Sequence, residues 1–174
     1  MTSLRLTLLI GISLFILFVS AYGQEEAVSR FGKLKVKTAE TDHKHKLLFK
    51  GKQILEYDGE SLEVKEALKG NNRDFVIVVE NSGGIACPSQ VVIVELNKAG
   101  VVKTSEEFGC LPPEKTRLVN DKVVIEINPY IPHPELVTKG ELRRAERTKE
   151  VFTWDQGRLS KKIAPLNQRT KVTR

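Results

Sequence analysis

Two runs of β-branched and aromatic side chains, Phe75-Val76-Ile77-Val78-Val79 and Val91-Val92-Ile93-Val94, constrain this chain more than any other feature. Successive side chains of a strand point to opposite sides, so a strand with one wet face alternates apolar and polar residues. Neither run alternates. Both therefore read as strands covered on both faces, at the centre of a sheet or beneath a helix.

Around them the pattern is that of hairpins. Lys33-Leu34-Lys35-Val36-Lys37 alternates, the mark of a strand with one solvated face. Lys50-Gly51-Lys52, Asn97-Lys98-Ala99-Gly100, Asn120-Asp121 and Asp155-Gln156-Gly157 each separate two strand-like stretches and read as tight turns. Ser61 to Lys69 is ambiguous: Leu62 and Val64 suit a strand, Glu66 to Lys69 a helical turn. The stretch 135–149 has few apolar residues on one helical face and reads as a short solvent-facing helix or a loop. The expected fold is all-β, an antiparallel meander or sandwich of about nine short strands.

The N-terminus predicts export. Arg5 precedes an apolar run from Leu6 to Val19, and Ala21-Tyr22-Gly23 places small residues where a signal peptidase cuts, with Gln24 as the new N-terminus. A run of about 14 residues falls short of the roughly 20 needed to cross a bilayer, so a cleaved signal is expected rather than an anchor. The expected organisation is a signal peptide over 1–23, a polar leader and first strand over 24–45, a β-domain over 46–162, and a disordered basic tail over 163–174. The expected location is periplasmic or secreted, with no transmembrane segment left after cleavage.

Without its first 23 residues the chain keeps 27 basic and 22 acidic side chains, a net of +5. That balance favours an acidic partner: an acidic protein first, or a phospholipid headgroup surface or a cell-wall polymer. The charges are interspersed rather than clustered, which argues against nucleic acid as the partner. Cys87 and Cys110 are the only cysteines. In an oxidising compartment an even count reads as a disulfide, worth roughly 3–4 kcal/mol on loop-closure entropy alone. They lie too far apart for a redox pair.

Motifs for chemistry are missing. There is no Gly-x-Ser-x-Gly elbow, no His-Glu-x-x-His and no phosphate-cradling glycine loop. His43 and His45 would project to one side of an extended segment, but two imidazoles do not hold a catalytic zinc, and both read first as solvated surface residues. The expectation is no catalytic residue, no cofactor and no metal. Two stretches remain as partner contacts. One is the Gly-rich connection between the central runs, with Asn81, Ser82, Gly83 and Gly84 closed off by Cys87-Pro88. The other is the Pro-rich stretch that presents Tyr130, Ile131 and His133 at low entropic cost. Arg143, Arg144 and Arg147 add a possible patch for acidic groups.

Asp74 to Val79, Gly84-Ile85-Ala86-Cys87-Pro88, Phe108-Gly109-Cys110 and Trp154-x-x-Gly157-x-Leu159 together resemble a largely uncharacterised group of small exported bacterial β-rich proteins. The resemblance covers roughly residues 45–160. It implies the fold class, the compartment and a disulfide between the two cysteines, and no reaction. The group has one residue between the glycine and the second cysteine, where this chain has Gly109-Cys110 in direct succession. The reading that results is an exported, non-enzymatic binding protein, an inhibitor or immunity-type protein that neutralises an envelope-acting toxin or hydrolase. Its rivals are a binder of a small ligand, metal or lipid, and a hydrolase with an unfamiliar site.

Overall fold

The computed structural model describes residues 26–39 and 43–166. Its twelve strands form three four-stranded antiparallel meanders. The first sheet holds β1 (Glu26–Ser29), β2 (Gly32–Thr38), β3 (Lys44–Phe49) and β4 (Lys52–Asp58) in chain order. The central sheet holds β5 (Ser61–Lys69), β6 (Asp74–Asn81), β7 (Ser89–Asn97) and β8 (Gly100–Thr104). The third holds β9 (Lys115–Val119), β10 (Lys122–Ile127), β11 (Thr148–Asp155) and β12 (Arg158–Pro165).

The two unbroken apolar runs become β6 and β7, paired Val76 to Val94, Ile77 to Ile93, Val78 to Val92 and Val79 to Val91. Their even-numbered faces pack with Leu34, Val36, Leu47 and Phe49 of the first sheet. Phe75, Ile77, Val79, Val91 and Ile93 pack on the other side with Val123, Ile125, Ile127, Phe152 and Trp154 of the third sheet. The expectation of two covered faces is met, and the cover on both sides is a sheet. Each outer sheet is polar on its far side. The first sheet carries Lys33, Lys35, Lys37, Lys44 and Lys46 there, opposite the buried Leu34, Val36 and Leu47. Such faces end the stack.

The fold is all-β as expected, with twelve strands among the described residues rather than about nine, and with three differences of extent. The leader is shorter than expected: Glu26–Ser29 is already strand β1, which joins the strand expected at Lys33–Lys37 (β2) in the first sheet, and Leu34 is fully buried. Ser61–Lys69 is one strand throughout, its alternation blurred by a bulge between Val64 and Glu66. The domain also runs past residue 162, since β12 pairs through Pro165 with Thr148. Residues 135–149 contain a 3₁₀ turn at Pro134–Leu136 and helix α1, Lys139–Ala145, whose Thr138 and Glu141 form a capping box. The signal segment and residues 167–174 lie outside the described residues.

Polar ties lock the three sheets together at one end. Asp74, fully buried, accepts from Arg30 through its backbone N–H at 2.7 Å and its Nε at 2.8 Å, joining the β1–β2 turn to the central sheet. Arg73, its neighbour, donates to Glu95 Oε1 at 3.0 Å and to Asp121 Oδ2 at 3.0 Å in the β9–β10 turn. Trp154 Nε1 donates to the second Glu95 oxygen at 3.0 Å. Removing one partner of such a pair strands the other charge. Arg30→Ala is therefore expected to lower unfolding free energy by about 2–3 kcal/mol in urea titration, less than a fully buried pair because Arg30 is partly exposed. A loss below about 0.5 kcal/mol, the size of an ordinary surface change, would show that Asp74 needs no partner.

Candidate functional site

The opposite end of the stack gathers the loops. The β4–β5 turn, the β6–β7 loop, the segment after β8, the Pro-rich stretch after β10 and the last residues of β12 all meet there. The Cys87–Cys110 disulfide is formed, with Cα atoms 4.6 Å apart. Phe108–Cys110 runs beside the start of β7: Val91 N donates to Phe108 O at 2.9 Å and Phe108 N to Val91 O at 3.1 Å. The bridge thus pins the β6–β7 loop to a segment that is itself anchored on the sheet.

That loop is braced from within. Ser82 N donates to Pro88 O at 3.0 Å, the Ser82 hydroxyl to Cys87 O at 2.7 Å, and Gly84 N to Ser82 Oγ at 3.2 Å. Gly83 has φ +69°, a left-handed conformation that favours glycine, and the Glu60 carboxylate packs against its open side. From outside, the Tyr130 hydroxyl donates to Ile85 O. The structure therefore brings the two predicted contact stretches together, a junction that their separation in sequence hid. Ile85, with side chain and backbone 72% exposed, stands at the apex. A shallow groove of about 270 Å³ lies beside it, lined by Phe108, Gly109, Cys110, Tyr130, Glu150, Phe152 and Lys161.

The other predicted residues fall into groups. The Asn81 side chain works within the fold, donating to Ser61 Oγ at 2.8 Å and accepting from the Ser89 hydroxyl at 2.6 Å. Ser82, Gly83 and Gly84 are exposed on the loop, Ile131 is half-buried and His133 exposed. Arg143, Arg144 and Arg147 are exposed on and just after α1, over the outer side of the third sheet, and make no ion pair among the described residues. The two histidines do not converge. His43 lies outside β3 with φ +50° and is exposed, while His45 is buried. Its Nε2 meets Gly59 O and its Nδ1 the Thr38 hydroxyl, each at 3.0 Å. A carbonyl only accepts, so Nε2 carries the hydrogen, Nδ1 faces the Thr38 hydroxyl, and neither nitrogen is open to a metal. No group of three His, Cys, Asp or Glu side chains converges on a metal position among the described residues.

One residue of this end escaped the sequence reading. Glu80, which follows the first apolar run directly, is the penultimate residue of β6 and points with Val76 and Val78 toward the first sheet. It is only 1% exposed, and its Oε2 has no hydrogen-bond partner among the described residues. Burial pushes its carboxyl up to about 7, with the nearby charge of Glu107 adding to the effect. Across from it Tyr57 is also raised, first by burial and then by the charges of Glu80 and Glu107. The signal was present: period two places residue 80 on the same face as residues 76 and 78.

Charge divides this end from the rest. Glu60, Glu80 and Glu107 collect around the β4–β5 turn and the loop, whereas Lys33, Lys35, Lys37, Lys44 and Lys46 stand on the outer face of the first sheet. Among the described residues no helix is long and apolar enough to cross a membrane. No protein-family model matches the chain, and no curated protein matches it.

Glu80 makes stability depend on pH with a definite sign. Below about 4.5 it is protonated in both states and contributes nothing. Between 4.5 and about 7 the unfolded chain ionises first, so stability falls as pH rises. Above that range the full penalty remains, roughly 3 kcal/mol for a shift of this size. Glu80→Gln is expected to be the more stable protein at pH 8, with the gap to wild type closing toward pH 4 in urea titrations. Parallel pH profiles for the two proteins would show that Glu80 titrates as an ordinary surface acid.

Proposed function

We propose that the protein is an exported, non-enzymatic binding protein, periplasmic or secreted, that acts by stoichiometric contact with another protein through its loop end. Within that class it is an inhibitor or immunity-type protein that neutralises an envelope-acting toxin or hydrolase. The observation that carries the reading is the bracing of one exposed loop from three sides. The disulfide holds its C-terminal limb, the Ser82 hydroxyl spans its interior, and Tyr130 grips the carbonyl of Ile85. A loop fixed before contact loses little conformational freedom on binding, so an exposed apolar side chain at its apex is available as an anchor.

The disulfide supports the exported location, since such bonds persist where the environment is oxidising. The charge layout refines the partner. At the loop end Glu60 and Glu107 call for basic groups around an apolar pocket that takes Ile85. A carboxyl-pair hydrolase is a second reading, drawing on Glu80 beside Glu107. It ranks below the first because Glu80 is closed off from solvent.

The test is affinity capture from envelope extract on immobilised wild-type chain and on Ile85→Asp, at low and high salt. One protein held in equimolar amount by the wild type, and held roughly thirtyfold more weakly by Ile85→Asp, is the expected result. The same set of proteins on both, or none on either, would refute the reading. Hydrolysis of an envelope polymer by wild type and not by Glu80→Gln would replace it with the second.

A further inference from the structure

The outer face of the first sheet is a surface of a different kind. Cross-strand neighbours place Glu26 beside Lys35, Val28 beside Lys33, Lys37 beside Lys46, and Lys35 beside Leu48. On one open face this sets Lys33, Lys35, Lys37, Lys44 and Lys46 against Glu26, Glu56 and Asp58. Lys50 joins Lys33, Lys35 and Lys37 around a shallow groove floored by Leu48. Two of the acids already serve their neighbours: Glu26 pairs with Lys33 and Lys35, and Glu56 with Lys46. These contacts hold both carboxyls below the usual carboxylate range, led in each case by the lysine bond. Lys37 has no ion-pair partner among the described residues, and Val28 stands 72% exposed amid the cations.

The chemistry of the face narrows its occupant. Its apolar side chains are aliphatic, Val28 and Leu48, so it has no ring on which a nucleobase could stack. It is an open sheet surface with a shallow furrow rather than a cleft shaped for one protein segment. Long lysine stems carrying ammonium groups around a protruding valine match a layer of anionic headgroups over hydrocarbon.

We propose that the lysine-bearing face of the first sheet is a docking surface for an anionic phospholipid bilayer. The folded body lies on the membrane by this face, and the braced loop, at the strand ends rather than on the flat face, stays free. Basic residues near an anionic leaflet each contribute attraction that salt screens, and one exposed aliphatic side chain adds little by itself. The attachment is therefore reversible.

The experiment mixes residues 24–174, which contain every strand of the fold, with sedimentable vesicles. One set is pure phosphatidylcholine and the other equal parts phosphatidylcholine and phosphatidylglycerol. Binding to the anionic vesicles alone, reversed by high salt, is expected. Combined Lys33→Gln, Lys35→Gln and Lys37→Gln substitution should weaken it roughly ten- to hundredfold. An unchanged urea midpoint and circular dichroism spectrum show that this variant remains folded, and single Lys37→Gln, which disturbs no ion pair, should weaken binding by about fivefold. No binding to anionic vesicles, equal binding to both sets, or undiminished binding by the lysine variants overturns the proposal. So does tighter salt-sensitive binding to soluble polyglutamate than to the anionic vesicles, which would make the face a site for an acidic protein.

Discussion

A four-stranded sheet that is apolar on both faces has no stable existence in water until each side is covered. That constraint, carried by β6 and β7, organises the molecule. It demands two covering layers, and the chain supplies one before the central sheet and one after it, each a meander of four short strands. Each cover needs one apolar face and one polar one, which is why Leu34 and Val36 alternate with lysines while Val76 to Val79 do not alternate at all. The polar outer faces then forbid a fourth layer. Three sheets is the number at which every apolar face has a partner.

The two ends of the stack solve different problems. Where the β1–β2, β5–β6 and β9–β10 turns meet, nearly every buried charge is answered: Asp74 by Arg30, Glu95 by Arg73 and Trp154, Asp121 by Arg73. At the other end a carboxyl is buried without an answer, beside a second carboxylate and a phenol. Glu80 weakens the fold at neutral pH, and it does so at the foot of the one loop that is braced by a disulfide. Unanswered polar groups in native folds tend to lie near function, which agrees with placing recognition at this end.

Much of the fold was legible in the residues. Continuous β-branched runs marked the doubly covered strands, and Lys50-Gly51, Asn120-Asp121 and Gln156-Gly157 marked hairpins whose turn residues do take positive φ. The disulfide followed from compartment and count. The layering was not legible, because an alternating strand announces a wet face without naming what its dry face meets. Glu26–Ser29 escaped because a short edge strand needs little apolar content. Ser61–Lys69 hid its period behind a bulge. At the site, Gly83, Cys87 and Tyr130 were visible as special residues, but their meeting depends on three-dimensional closure. Glu80 was passed over as part of the polar loop that follows it, although its period assigned it to the core.

The layered architecture rests on β6 and β7 being sealed between two sheets at once. Native-state hydrogen exchange followed by residue-resolved mass spectrometry tests this directly. The amides of Val76–Val79 and Val91–Val94 should exchange only through global unfolding, with protection equal to the full stability measured in urea, while those of β1 and β12 exchange through smaller openings. Exchange of the central amides well below that limit, at the level of the outer strands, would mean that one face of the central sheet is open, and the layered account would be wrong.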